Sequence, residues 1–294
     1  MKVVYIGSAH PLRGGLAHFN ERLATTFQQH GHEVVMHTFS LQYPKLLFPG
    51  KSQFSDSPPP RNLKIQVDIN SINPLNWISV GNKIRKLRPD MVLTKFWIPF
   101  MAPCLGKISR IIRKNKHTKT IAIIDNIIPH EHRPGDKVLA KYFVNSVDGL
   151  ITMSNSVLND VKLFTKHHPV LYHPHPLYDN FGKPMDKQEA LKSLGLDQKS
   201  KHILFFGLIR AYKGLDLLLK AFADERLRNI GLKLIIAGEY YESAKPYREI
   251  ISSYNLKDSI IQVDKFIADE DVRKYFCAVD IIVQPYKNAT QSGI

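Results

Sequence analysis

Arg210 and Lys213 stand close together in the stretch FFGLIRAYKG, residues 205–214, with Gly207 before them and Gly214 after them. A guanidinium forks onto two phosphate oxygens, and an ammonium adds a point charge beside it. Glycines remove the side chains that would hold backbone N–H groups away from an anion. Such a set suits the grip of a diphosphate. A solvated turn with two surface cations would have the same composition, so the surroundings have to decide.

Three other stretches carry residues of chemical interest. GSAHPLRGGLAHF places Gly14 and Gly15 where a helical pattern begins, so bare N–H groups and the helix dipole there favour negative charge. The stretch lacks the spacing of the dinucleotide fingerprint, because only Gly7, Gly14 and Gly15 are present. IIDNIIPHEHRPGDK ends an apolar run in polar groups: Asp125, His130, Glu131 and His132. An imidazole titrates near neutrality and suits proton transfer, and spacing does not choose between His130 and His132. His130–Glu131–His132 and His173–Pro174–His175 lack the i, i+4 spacing of a helical zinc pair, so no metal is expected at either. Asp269, Glu270 and Asp271 open a helical run, where acids complement the dipole.

The elements that must position these groups alternate regularly. Short apolar strands, KVVYIG, HEVVMHTF, LKIQVDI, DMVLTKF, KTIAIID, DGLITMS and PVLYH, are separated by helical patterns up to a Pro-, Gly- and Asp-rich stretch near residue 180. The alternation restarts with KHILFFG, GLKLIIAG, SIIQVDKF and DIIVQPY. Strands spaced by helices predict parallel α/β sheets, here in two Rossmann-like domains, residues 1–180 and 181–294. The second series stops at ATQSGI directly after a strand, so a domain incomplete at its C-terminal side is expected.

The chain has 294 residues and a formal charge of +15. Between Val80 and Thr120 eleven Lys and Arg face one acid, Asp90, a field that attracts phosphate-bearing partners. GKISRIIRKNKHTK is amphipathic, but it lacks the interleaved aromatics of a single-strand binder, so an anionic membrane surface is kept as a partner and nucleic acid is not. No apolar run reaches the length of a membrane span, and the N-terminus does not read as a signal peptide. Two distant cysteines, Cys104 and Cys277, predict a reducing, cytoplasmic setting, with peripheral attachment at the inner membrane face left open.

Taken in order, FFGLIRAYKG, LKLIIAGEYY and VDKFIADEDVRKYFCAVDIIVQPY resemble the second domain of GT-B glycosyltransferases of the large family 4 group (glycosyl transferases group 1). The resemblance implies two Rossmann-like domains facing a cleft, and a sugar moved from a UDP- or GDP-linked donor to a glycan or lipid-linked acceptor, as in polysaccharide biosynthesis. It implies retention at the anomeric carbon; with Arg210 and Lys213 doing a metal's work, no metal and no cofactor beyond the substrate are expected. Arg210 and Lys213 would hold the diphosphate, with Gly207, Gly238 and Glu239 near the nucleotide and a backbone group beside Ile267 at the base. Gly14 and Gly15 would face the donor from the first domain. A His near the transferred sugar is implied after DNIIP, and His130 is the candidate, with His132 as its rival. The family's E-G-F-G-L appears here as TQSGI, with Thr290 where the first Glu stands, while Ser292 and Gly293 keep backbone amides for the donor. That departure keeps two alternatives open, a non-catalytic nucleotide-sugar-binding protein and a GT-B-like sugar-nucleotide epimerase.

Overall fold

The computed structural model describes residues 1–48, 50–55, 57–129, 133–179, 181–287 and 289. The chain divides into two compact units, the first Met1–Phe48 with Ser52–Tyr178, the second Asp179–Ala289 with Lys51 grouped to it.

The first unit runs β1 (Lys2–Ile6), α1 (Gly15–Gln29), β2 (Glu33–Leu41), β3 (Lys64–Asn70), α2 (Pro74–Leu87) and β4 (Met91–Phe96). It continues through α3 (Ala102–Arg113), β5 (Lys119–Ile124), α4 (Asp136–Val144), β6 (Gly149–Thr152), α5 (Asn155–Lys162) and β7 (Val170–Tyr172). The sheet order is β3-β2-β1-β4-β5-β6-β7, and every pairing is parallel. Strands this apolar need cover on both faces. Val4, Ile6, Val92 and Phe96 pack with Ile84 of α2, Ile108 and Ile112 of α3 and Phe143 of α4. Val3, Tyr5, Met36 and Leu93 turn the other way, with Ala24 of α1. Local chemistry starts the helices: Asn73 accepts from the N–H groups of Leu75 and Asn76 ahead of Pro74, and Ser154 caps α5.

The second unit runs α6 (Lys187–Ser193), β8 (His202–Phe206), α7 (Leu215–Phe222), α8 (Glu225–Arg228), β9 (Lys233–Ala237), α9 (Lys245–Ser253), β10 (Ile260–Val263), α10 (Asp269–Ala278) and β11 (Ile281–Ile282). Its parallel sheet has the order β10-β9-β8-β11. Phe205, Leu234 and Ile236 pack with Leu219 and Tyr247 on one face, and Leu204, Ile235 and Ala237 with Val272 and Tyr275 on the other. The sequence reading assigned no element to α6, because its apolar face is short. Asp186 caps it by accepting from Gln188 and Glu189, and Ala190 and Leu191 are buried with Ala278 of α10. Among the described residues, no helix is long and apolar enough to cross a membrane.

Candidate active site

The second sheet's ladder extends past its strand ends. Gly207 donates to Ala237 O at 3.0 Å, Ile209 to Glu239 O at 2.9 Å, and Tyr241 to Ile209 O at 3.0 Å. Gly207 has φ 100° and Gly238 φ 155°. A Cβ on Gly238 would run into the carbonyl of Gly207, so the two backbones approach this closely only with glycine at 238. This clamp leads to Arg210 in extended conformation, then a single turn of 3₁₀-helix, Ala211–Lys213, and Gly214 in the left-handed region at φ 75°. A Cβ on Gly214 would strike the carbonyl of Pro285, just after β11. Arg210 and Lys213 thus stand on one turn at the carboxyl end of β8, where doubly wound sheets take their ligands.

The guanidinium of Arg210 lies 5.3 Å from the Tyr241 ring centroid, and the Lys213 ammonium 5.6 Å from that of Tyr286. Both residues are half-buried. Among the described residues neither is joined to a carboxylate in an ion pair. Burial, and then the positive charge of Arg210, push the Lys213 pKa down to about 8. An anion bound between the two would oppose both effects by favouring the charged ammonium. The neighbouring turn is tied down differently: the Lys287 N–H donates to Tyr212 O at 2.8 Å, and its ammonium pairs with Asp216 of α7 at 2.8 Å. Sequence reasoning missed this tie, because nothing local links residues so far apart in the chain.

Glu239 is buried, and its carboxylate accepts from the Lys51 N–H. Ile267 is buried beside Ala237, Val272 and Tyr275, immediately before α10. Asp269, Glu270 and Asp271 occupy the first turn of that helix, and Asp271 pairs with Lys274 at 2.5 Å. Thr290, Ser292 and Gly293 lie outside the described residues. The structure therefore brings Gly207, Arg210, Lys213, Gly238 and Glu239 to one end of one sheet, with Ile267 in the same unit.

In the first unit, the β1–α1 loop is pinned by polar groups. Tyr5 Oη donates to Asn20 Oδ1 at 2.8 Å, and Asn20 Nδ2 to Ser8 O at 2.8 Å. Ala9 N–H donates to Thr38 Oγ1 at 2.9 Å, and His10 N–H to Glu21 Oε1 at 2.6 Å. Gly14 has φ 101° and stands at the start of α1 without a side-chain cap. Tyr178 Oη donates to Gly15 O at 3.2 Å. Asp125 follows β5 directly, and its N–H bonds to Phe96 O at 2.8 Å. His130, Glu131 and His132 lie outside the described residues. The His173 and His175 rings each bond through Nδ1 to the carbonyl of the following proline.

One group in this unit escaped the sequence reading. Lys95, inside the apolar strand β4, is 1% exposed. Its Nζ lies 2.8 Å from Asp125 Oδ1 and 3.4 Å from the Phe19 ring centroid. Burial pushes its pKa down, against the pull of Asp125. Burial together with the Asp125 charge raises Tyr178 to about 12, so its hydroxyl stays a donor. The available signal was a lysine within MVLTKF, a strand otherwise suited to burial on both faces.

Residues 186–290 match the family described as glycosyl transferases group 1. The chain is 29% identical over 165 residues to the alpha-monoglucosyldiacylglycerol synthase of Streptococcus pneumoniae, a match spanning 53% of this chain and 36% of that protein. Its fold is that of the sucrose-phosphate synthase of Thermosynechococcus elongatus, with a TM-score of 0.72 at 15% identity over 99% of this chain and 77% of the other. It also follows Anabaena HepE, solved with UDP and glucose, at TM-score 0.67 and 13% identity, covering 97% of this chain and 74% of that one.

Proposed function

With residues 186–290 a group 1 glycosyltransferase domain, we propose that the protein transfers a sugar from a nucleoside-diphosphate sugar to a glycan or lipid-linked acceptor. The observation that carries this reading is the turn of Arg210 and Lys213, two half-buried cations fixed by a glycine clamp at the mouth of the second sheet. In this reading they bind the donor diphosphate and stabilise the charge that develops on it as the sugar–oxygen bond breaks. Fixed side-chain cations do the work a metal ion would do, so transfer needs no metal. Gly238, Glu239 and the backbone beside Ile267 receive the nucleoside. Gly14, Gly15 and the loop containing His130 serve the sugar and the acceptor from the first unit. Retention at the anomeric carbon is the expectation that comes with the family.

A lipid-linked acceptor is supported by the charge of the first unit. Helices α2, α3 and α4 cover one face of its sheet and carry eight Lys and Arg against a single acid, Asp136. Such a face suits an anionic bilayer surface. The S. pneumoniae relative is named for a glycolipid product.

In the full-length protein, Arg210→Ala and Lys213→Ala are each expected to lower nucleoside diphosphate release from UDP-glucose or GDP-mannose by at least about tenfold, or about 1.4 kcal/mol of transition-state stabilisation. Unchanged turnover in both variants would remove the diphosphate role. Thr290, standing where the family has a Glu, favours a second reading, a nucleotide-sugar binder without transfer. Tight donor binding with no release of UDP or GDP in the presence of acceptor lipids would select it.

A further inference from the structure

We propose that Lys95 is a positioning residue for transfer, its buried ammonium joining Asp125, at the head of the loop after β5, to Phe19 of α1. The inference rests on the transferase reading above. One atom holds three elements: Nζ belongs to β4, bonds the Asp125 carboxylate at 2.8 Å and sits 3.4 Å over the Phe19 ring. Phe19 lies on the first turns of the helix that Gly14 and Gly15 open. Asp125 begins the segment that leads to His130. The residue that follows β5 and the helix that follows the β1–α1 loop are thereby referenced to the same ammonium.

Stability alone does not account for the pair. Exchanging a buried ion pair for apolar side chains of similar volume is often neutral or stabilising, because both charges have lost their water. The surroundings are also arranged around it. A Cβ on Gly7 would press on Asn20 Nδ2, the Tyr5 ring and Lys95 Cβ, so the end of β1 leaves the lysine its room. The backbone bond from Asp125 N–H to Phe96 O, 2.8 Å, holds the same aspartate from the strand side. Tyr178, bonded to Gly15 O, feels the Asp125 charge as well. What the pair supplies is a fixed pose for groups at the mouth of the sheet.

The test uses full-length protein with Lys95→Met, Asp125→Leu and the double variant. It reads the thermal midpoint and the release of UDP or GDP from UDP-glucose and GDP-mannose. Each single variant breaks the buried pair from one side and should lose both stability and turnover. The double variant should recover the wild-type midpoint, while kcat stays at least about tenfold down and donor KM changes by less than about twofold. Turnover that returns with the midpoint overturns the proposal, as does a change confined to KM. Asp125→Glu provides an independent check: it keeps the charge but displaces the carboxylate, and wild-type kcat in that variant also overturns the proposal. A wild-type protein that turns over neither donor would instead remove the transferase reading, and this inference with it.

Discussion

At the residue scale the informative quantity is the cost of holding two cations side by side. Lys213 titrates near 8 rather than its ordinary 10.5 because it is partly removed from water beside Arg210. Its positive charge is present below that value and lost above it. UDP binding should therefore be strongest below pH about 8 and weaken above it by up to about tenfold per pH unit. Calorimetry above pH 8 in two buffers of different ionisation enthalpy should show proton uptake on binding, since a bound anion restores the ammonium. A flat affinity across this range would separate Lys213 from the nucleotide. The stability linkage has the opposite sign. Between about 8 and 10.5 the unfolded chain keeps a proton that the native state has released, so this group's contribution to stability rises with pH through that window.

At the scale of elements, turns and caps carry the site more than the strands do. Gly238→Ala places a methyl group into the Gly207 carbonyl and should cost about 2 kcal/mol or more in denaturant unfolding, since the backbone must shift or strain. Loss of UDP affinity should accompany it, because the same clamp aims Arg210. Asp186→Ala removes the cap of α6, far along the chain from the cations. It should cost about 1 kcal/mol in the same measurement and leave UDP affinity unchanged. The pair of variants separates damage to the unit from damage to the turn.

At the scale of the whole molecule, a formal charge of +15, with eight Lys and Arg against one acid on α2, α3 and α4 of the first unit, predicts adsorption to anionic surfaces. Co-sedimentation with phosphatidylglycerol vesicles should be strong at low salt, fall steeply as ionic strength rises, and be absent with neutral vesicles. Salt-independent binding would point to apolar insertion instead. The sequence by itself determined the alternation of strands and helices and the turn that holds Arg210 and Lys213, because these rest on periodicity and neighbours a few residues apart. It also marked the acids opening α10 and the glycines whose φ values the backbone demands. Helix α6 was harder to read, since only two of its side chains, Ala190 and Leu191, are buried and its partner is α10. The Lys95–Asp125 pair and the tie from Lys287 to Asp216 were decided by tertiary structure alone. In each, the partners meet only after the sheet has aligned strand ends distant in the chain, and no local pattern records which charge will face which.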